Sequence, residues 1–236
     1  MPEAVAEHDR ATHGNRNIAI RAKDVVNAYL SLTEALEVLS DRKSISQTQG
    51  DIGTLTIEDI DYRGWWTPEV VRPLYAVVPL IATYEQFLNR SVSLFKLLEL
   101  LKPGPLKTIA RQLGVPKDQI KDFGALKLLA SICQLARIAQ TQGHTLSDDA
   151  VAVVKQWNPA EELPELVSMF ALNGLHVRQA HTPGNEREAK IASCAKRFGI
   201  DVTATASGWG YAIDTLYDRL AVDMSDLAKL IEEGHQ

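Results

Sequence analysis

From Ile18 onward, apolar residues recur at intervals of four and three: Ile18, Ala22, Val25, Tyr29, Leu32, Leu36 and Leu39. That spacing sets every one of these side chains on one face of a helix running from about 18 to 40. A seam this strict suits packing along a neighbouring helix, as in a bundle. A second seam, Val70, Leu74, Val77, Ile81, Tyr84 and Leu88, follows Thr67 and Pro68, which read as N-cap and first helical position. Pro73 and Pro79 fall inside it, so this helix is expected to be kinked or broken. The run SVSLFKLLELL continues as helix to Lys102, where Pro103, Gly104 and Pro105 set a boundary.

The second half of the chain reads the same way. Residues 125–140 are apolar on nearly every side, with Lys127, Ser131, Gln134 and Arg137 as a narrow polar stripe. This is the expected central helix, closed by Gly143. Ser147 is the expected cap of a short helix through Trp157, with Asp148 and Asp149 in its first turn. A helix from Leu163 to about His181 should present Leu166, Met169, Phe170, Asn173, His176, Val177 and Ala180 on one face, with Thr182, Pro183 and Gly184 ending it. A helix over 186–198 ends at Gly199, and a last one, over about 209–232, carries Ile213, Leu216, Leu220, Met224, Leu227 and Ile231. Its opening, Ser207-Gly208-Trp209-Gly210, allows an unusual turn and a close approach to another helix.

Only residues 43–66 break the period. They are polar, with Gly50, Gly53 and a short alternation at Leu55 and Ile57, and read as a long polar loop or a small hairpin ending at Trp65 and Trp66. Adjacent tryptophans point in different directions, so at most one of them should anchor the core. The expected fold class is therefore all-α, a bundle of about seven to nine helices. Residues 1–17 read as a flexible tail, and 18–236 as a single helical domain with a helix-turn-helix-like insertion at 103–123.

Composition narrows the function classes without choosing one. Of 236 residues, 45% are hydrophobic and 23% charged, the balance of an ordinary globular protein. The net charge of −5 does not advertise nucleic-acid binding over the whole surface. No stretch approaches the roughly 18 apolar residues of a membrane span. Cys133 and Cys194 sit in apolar helical patterns and read as buried free thiols, with no zinc spacing. These features fit a cytoplasmic protein with no membrane partner. No phosphate loop, dinucleotide fingerprint or Gly-x-Ser-x-Gly is present. Neither a cofactor nor a metal is expected.

Two segments carry candidate chemistry. In LKTIARQLGVPKDQIKDF, Ala110, Gly114 and Ile120 hold the small, turn and aliphatic positions of a helix-turn-helix. Lysines and arginine outnumber acids by four between 102 and 127, and Lys107, Arg111, Lys117 and Lys121 are the candidate phosphate contacts. Asp118 and Asp122, in the second helix of the unit, oppose that role, and the same residues suit pure packing. The second segment is NGLHVRQAHTPG, where Asn173, His176, Arg178 and His181 cluster near a helix end. Histidine can move a proton near neutral pH and arginine can hold a phosphate. Together they suit metal-independent cleavage of RNA through its 2′-hydroxyl.

This region and the helices around it resemble the HEPN group of small helical bundles, many of them dimeric ribonucleases or toxins and others inactive interaction modules. Their signature is Arg, four to six residues, then His, at the end of a late helix. His181 matches the histidine. The arginine position with four intervening residues is His176 here, Arg178 stands too close, and Val177 takes the place of the usual polar residue. The resemblance implies a helical interaction or regulatory module, dimeric or bound to a protein partner. It also leaves open an RNA-cleaving enzyme with His181 as acid or base and Arg178 or His176 steadying the phosphate. Nucleic-acid binding through 106–123 is a third class. In a purely structural reading, Asn173 and His176 are satisfied polar groups in a helix interface, and Arg178 and His181 decorate the helix end.

Overall fold

The structure, a computed structural model, describes residues 17–146, 150–181 and 185–234, with the side chains of 150, 178–181, 185–187, 204, 206 and 207 excepted. The described residues are helical, with no strand. The helices are α1 (Ile18–Arg42), α2 (Gln49–Ile52), α3 (Ile57–Arg63), α4 (Arg72–Tyr75), α5 (Tyr84–Leu98), α6 (Pro103–Gln112), α7 (Ala125–Gln142), α8 (Ala150–Val154), α9 (Val167–His181), α10 (Asn185–Arg197) and α11 (Gly210–Glu233). Eight of these are at least 7 residues long, as an all-α bundle of that size requires. The expected Ser147 cap and the Thr182–Gly184 stop lie outside the described residues.

The region expected to be a single domain divides into two compact units, each discontinuous in sequence. Unit 1 comprises Met1–Asn27, Ile60–Leu98 and Val167–Val222. Unit 2 comprises Ala28–Asp59, Glu99–Leu166 and Asp223–Gln236. Helices α1 and α11 each contribute to both.

The α1 seam holds: Ile18, Ala22, Val25, Tyr29, Leu32, Leu36 and Leu39 are all buried. Asn17 opens the helix by accepting from the Ala19 and Ile20 amides at 2.8 and 3.1 Å.

In unit 2, residues 43–59 form no hairpin. A capping box between Thr48 and Asp51 starts α2, and Gln49 points inward. Its Nε2 donates to Leu30 O at 3.0 Å and Thr33 Oγ1 at 2.9 Å, while its Oε1 accepts from the Ile57 amide at 2.8 Å. One buried amide thus satisfies three partners and fixes a segment that is polar overall. The polar stripe of α7 is also covered beyond Lys127, which is exposed. Gln134 donates to the Glu161 carboxylate and accepts from the Asn158 amide, and Arg137 pairs with Glu165. Cys133 lies beneath, fully buried, and desolvation pushes its thiol pKa well above the ordinary range.

In unit 1, α9 packs against both α5 and α10. A Cβ on Gly174 would stand 2.7 Å from Cys194 Sγ, so the absence of a side chain there lets α10 lie close. The second seam breaks, as its prolines demand, and its helix starts later than expected. Thr67 and Pro68 form a turn, and α4 starts at Arg72 with Pro73 in its first turn. Residues 76–83 are then non-helical, because Pro79 drives the residue before it towards extended backbone. Val77 and Ile81 are consequently exposed, and α5 buries Phe87, Leu88, Ser91, Leu94, Phe95 and Leu98 instead.

The broken end of α4 is held by Arg90, itself only 7% exposed. Its Nη1 donates to Leu74 O and, at 2.9 Å, to the Tyr217 hydroxyl, and Nη2 donates to Ala76 O at 2.8 Å. The Tyr217 hydroxyl in turn donates to Leu74 O at 2.7 Å. Helix-terminal carbonyls have no partners within their own helix, and here a guanidinium supplies donors. Arg90→Met keeps much of the stem but strands Ala76 O. It should lower unfolding free energy by about 3 kcal/mol in urea titration, the scale of a lost charge-assisted hydrogen bond in a buried site. A loss below about 1 kcal/mol would mean that water replaces the guanidinium without penalty.

Candidate functional site

The non-helical stretch ending at Ala82, which closes a turn with its amide on Pro79 O at 3.0 Å, meets the start of α11. The Trp209 amide donates to Ala82 O at 2.8 Å and the Gly210 amide to Leu80 O at 3.0 Å. These backbones touch because 208 and 210 are glycines. A Cβ on Gly208 would stand 2.5 Å from Ile81 Cα, and one on Gly210 would stand 2.8 Å from Leu80 O. Gly208 also has φ +120, which disfavours any L side chain. The close approach expected of the SGWG opening is therefore present, but against the turn at Leu80 and Ile81 rather than a helix.

Between those glycines, Trp209 is directed onto the first turn of α5. Its ring centroid lies 5.0 Å from that of Tyr84 and 4.8 Å from that of Phe87. The aromatic cluster forms one wall of a groove of about 420 Å³, lined by Tyr84, Glu188, Ile191, Ala192, Val202 and Trp209. A second hollow, of about 750 Å³, continues beside it. The two share Ala189, Ala192 and Val202, and the second adds Ser193, Lys196 and Asp201. Together they trace the outer face of α10, where Ala189, Ala192, Ser193 and Lys196 follow helical spacing.

The histidine cluster is only partly in view. His176 is half-buried, stacks on Phe95 with centroids 4.7 Å apart, and has its Nδ1 enclosed without a hydrogen-bond partner. The expected face of α9 is rotated. Met169, Ala171, Leu172 and Leu175 are buried, Asn173 is half-buried, and Val177 is exposed. The backbone of Arg178 and His181 completes α9, but their side chains, like that of Ala180, lie outside the described residues.

The helix-turn-helix is not formed. Ala110 and Ile120 are buried and Gly114 adopts φ +93, as such a unit requires, but residues 116–123 make only isolated turns. Gln119 N donates to Pro116 O and Phe123 N to Ile120 O, each closing a single turn, before Gly124 opens α7. The few residues between Pro116 and Gly124 are too short a run to repay helix nucleation. Lys107 Nζ donates to Lys121 O at 2.7 Å, closing the turn, while Arg111, Lys117 and Lys121 are exposed.

Trp65 and Trp66 do not anchor a core. They pack edge-to-face, Trp65 also against Tyr75, and Trp66 is 54% exposed. Among the described residues no group of three or more His, Cys, Asp or Glu could hold a metal ion, and no helix is long and apolar enough to cross a membrane.

Sequence reasoning did not single out Tyr84, Glu188, Ala189, Ala192 or Lys196 as a site. The available signals were the paired glycines around Trp209 and the small residues spaced three and four apart on α10. No family model, curated protein or solved structure matches this chain.

Gly210→Ala should cost about 2 to 3 kcal/mol, the scale of overpacking a tight site. Gly104→Ala, in the first turn of α6 with open space where its Cβ would go, should be neutral or stabilising by up to about 1 kcal/mol. Thermal or urea unfolding of the two variants separates them, and equal stabilities would remove the steric role assigned to Gly210.

Proposed function

We propose that this chain is a helical interaction module that receives another polypeptide in the groove along α10. The reading is carried by one observation: a continuous groove with an apolar floor. Ala189, Ile191, Ala192 and Val202 supply the floor, and Tyr84 and Trp209 the wall. Apolar surface gathered in one place favours an occupant that removes it from water, at roughly 25 cal/mol per Å² buried. The polar groups are sparse and stand towards the ends, which suits a register-setting role better than the convergent acid, base and nucleophile of a catalytic site.

Site-specific crosslinking tests this. A benzoylphenylalanine placed at Ala189 should give a light-dependent adduct, mapped to one partner peptide in repeated preparations and suppressed by Ala192→Arg. The same group at Tyr62, exposed on α3, should not. Adducts no more frequent from Ala189 than from Tyr62 would overturn the interaction reading.

A further inference from the structure

The groove has a charge pattern that complements itself. Glu188 and Lys196 both line it, near opposite ends of the same face of α10, and Ala192 lies midway between them in sequence. Both side chains are exposed, and among the described residues neither is engaged in an ion pair. Between them the face is low: Ala189, Ala192 and Ser193 project little beyond the backbone. A second helix can therefore approach closely, since the distance between helix axes is set by the side chains at the crossing.

We propose that the occupant of this groove is α10 of a second copy of the chain, laid antiparallel about a twofold axis near Ala192. This rests on the interaction reading above and names its partner. A twofold axis makes the same patch meet itself, so whatever one protomer presents must be complementary to its own image. Here the rotation sets Glu188 opposite Lys196 of the partner subunit, and Lys196 opposite Glu188 of the partner subunit. The alanines face one another at the centre. A parallel arrangement would set like charges together, so the two charges select the antiparallel one. The aromatic wall of Tyr84 and Trp209 flanks the Glu188 end, where it would cover the incoming helix.

Charge exchange tests the pairing with full-length protein, read by sedimentation velocity across a concentration series. The native chain should form a reversible dimer. Glu188→Lys and Lys196→Glu alone should each weaken it at least about tenfold, because each creates two like-charge contacts. An equimolar mixture of the two variants should form a heterodimer, since every contact across the axis is then between opposite charges. The double variant Glu188→Lys/Lys196→Glu should regain the native affinity. Because both positions are exposed, the substitutions leave the core untouched.

A native chain that stays monomeric up to about 100 µM, well above the micromolar range of ordinary weak complexes, would overturn the pairing. So would single exchanges that leave the dimer unchanged, or a mixture that stays monomeric. If the pairing fails while Ala189 still crosslinks to a different protein, the groove reading survives without it. If the pairing fails and Ala189 also gives no adduct, both fall.

Discussion

The architecture of unit 1 depends on a buried guanidinium that faces carbonyl dipoles and a phenol. Pro73 and Pro79 prevent one continuous helix from running through 67–88, and a chain interrupted inside a protein leaves carbonyls in need of donors. Arg90 meets that need at Leu74 and Ala76 with a planar fork, its position reinforced by the Tyr217 hydroxyl. Lysine could not substitute well: its donors radiate from one nitrogen, whereas the two carbonyls are reached from two nitrogens of the fork. Burying a guanidinium carries a desolvation cost, so the site is stable only because each of these bonds is made. The break in the helix and the charge that holds it are one feature.

Once 76–83 leaves the helix, the carbonyls of Leu80 and Ala82 can serve elsewhere. The start of α11 has the opposite deficiency, since the first amides of any helix lack partners within it. Leu80 O and Ala82 O accept from Gly210 and Trp209, so an unfinished helix and a beginning one satisfy each other. The exchange requires backbone contact, hence the two glycines. It also fixes where Trp209 can go: onto Tyr84 and Phe87, at the first turn of α5. The aromatic wall of the groove is thus a consequence of backbone hydrogen bonding, established before any question of recognition arises.

How legible this was depended on whether local period or tertiary contact decided the outcome. The α1 seam was readable residue by residue, because an uninterrupted three-four spacing has only one face to bury. The prolines announced the break after 67, but not that Val77 and Ile81 would stay in solvent, since a seam loses its meaning once the helix stops. In 43–66 the weak alternation at Leu55 and Ile57 leaves a loop or a hairpin open, whereas the capping box at Thr48 and Asp51 starts a short helix. The inward turn of Gln49 depends on Leu30 and Thr33, which are remote in sequence. The helix-turn-helix signature was genuine in its three key residues and still wrong in outcome, because those residues specify a tight turn and not the helix after it. As for the groove, the glycines around Trp209 signalled a close approach. The face of α10 gave little warning, because alanine and serine at helical spacing are ordinary.

That ordinariness bears on what the groove can recognise. A docking surface built from large side chains gains affinity from a few deep anchors. The face of α10 has none between Glu188 and Lys196, and the large rings of Tyr84 and Trp209 belong to the wall. An occupant would gain contact by lying close along the helix, and small residues permit that only if the two axes are aligned and in register. Charges at the ends then matter more than their modest energies suggest, since a slip of one turn separates each from its opposite and leaves the apolar floor unevenly covered. A surface of this kind discriminates through orientation more than through buried area, and it gives contacts that form and separate readily. These preferences follow from the same two features: a low helix face, and an aromatic wall fixed in place by a broken helix.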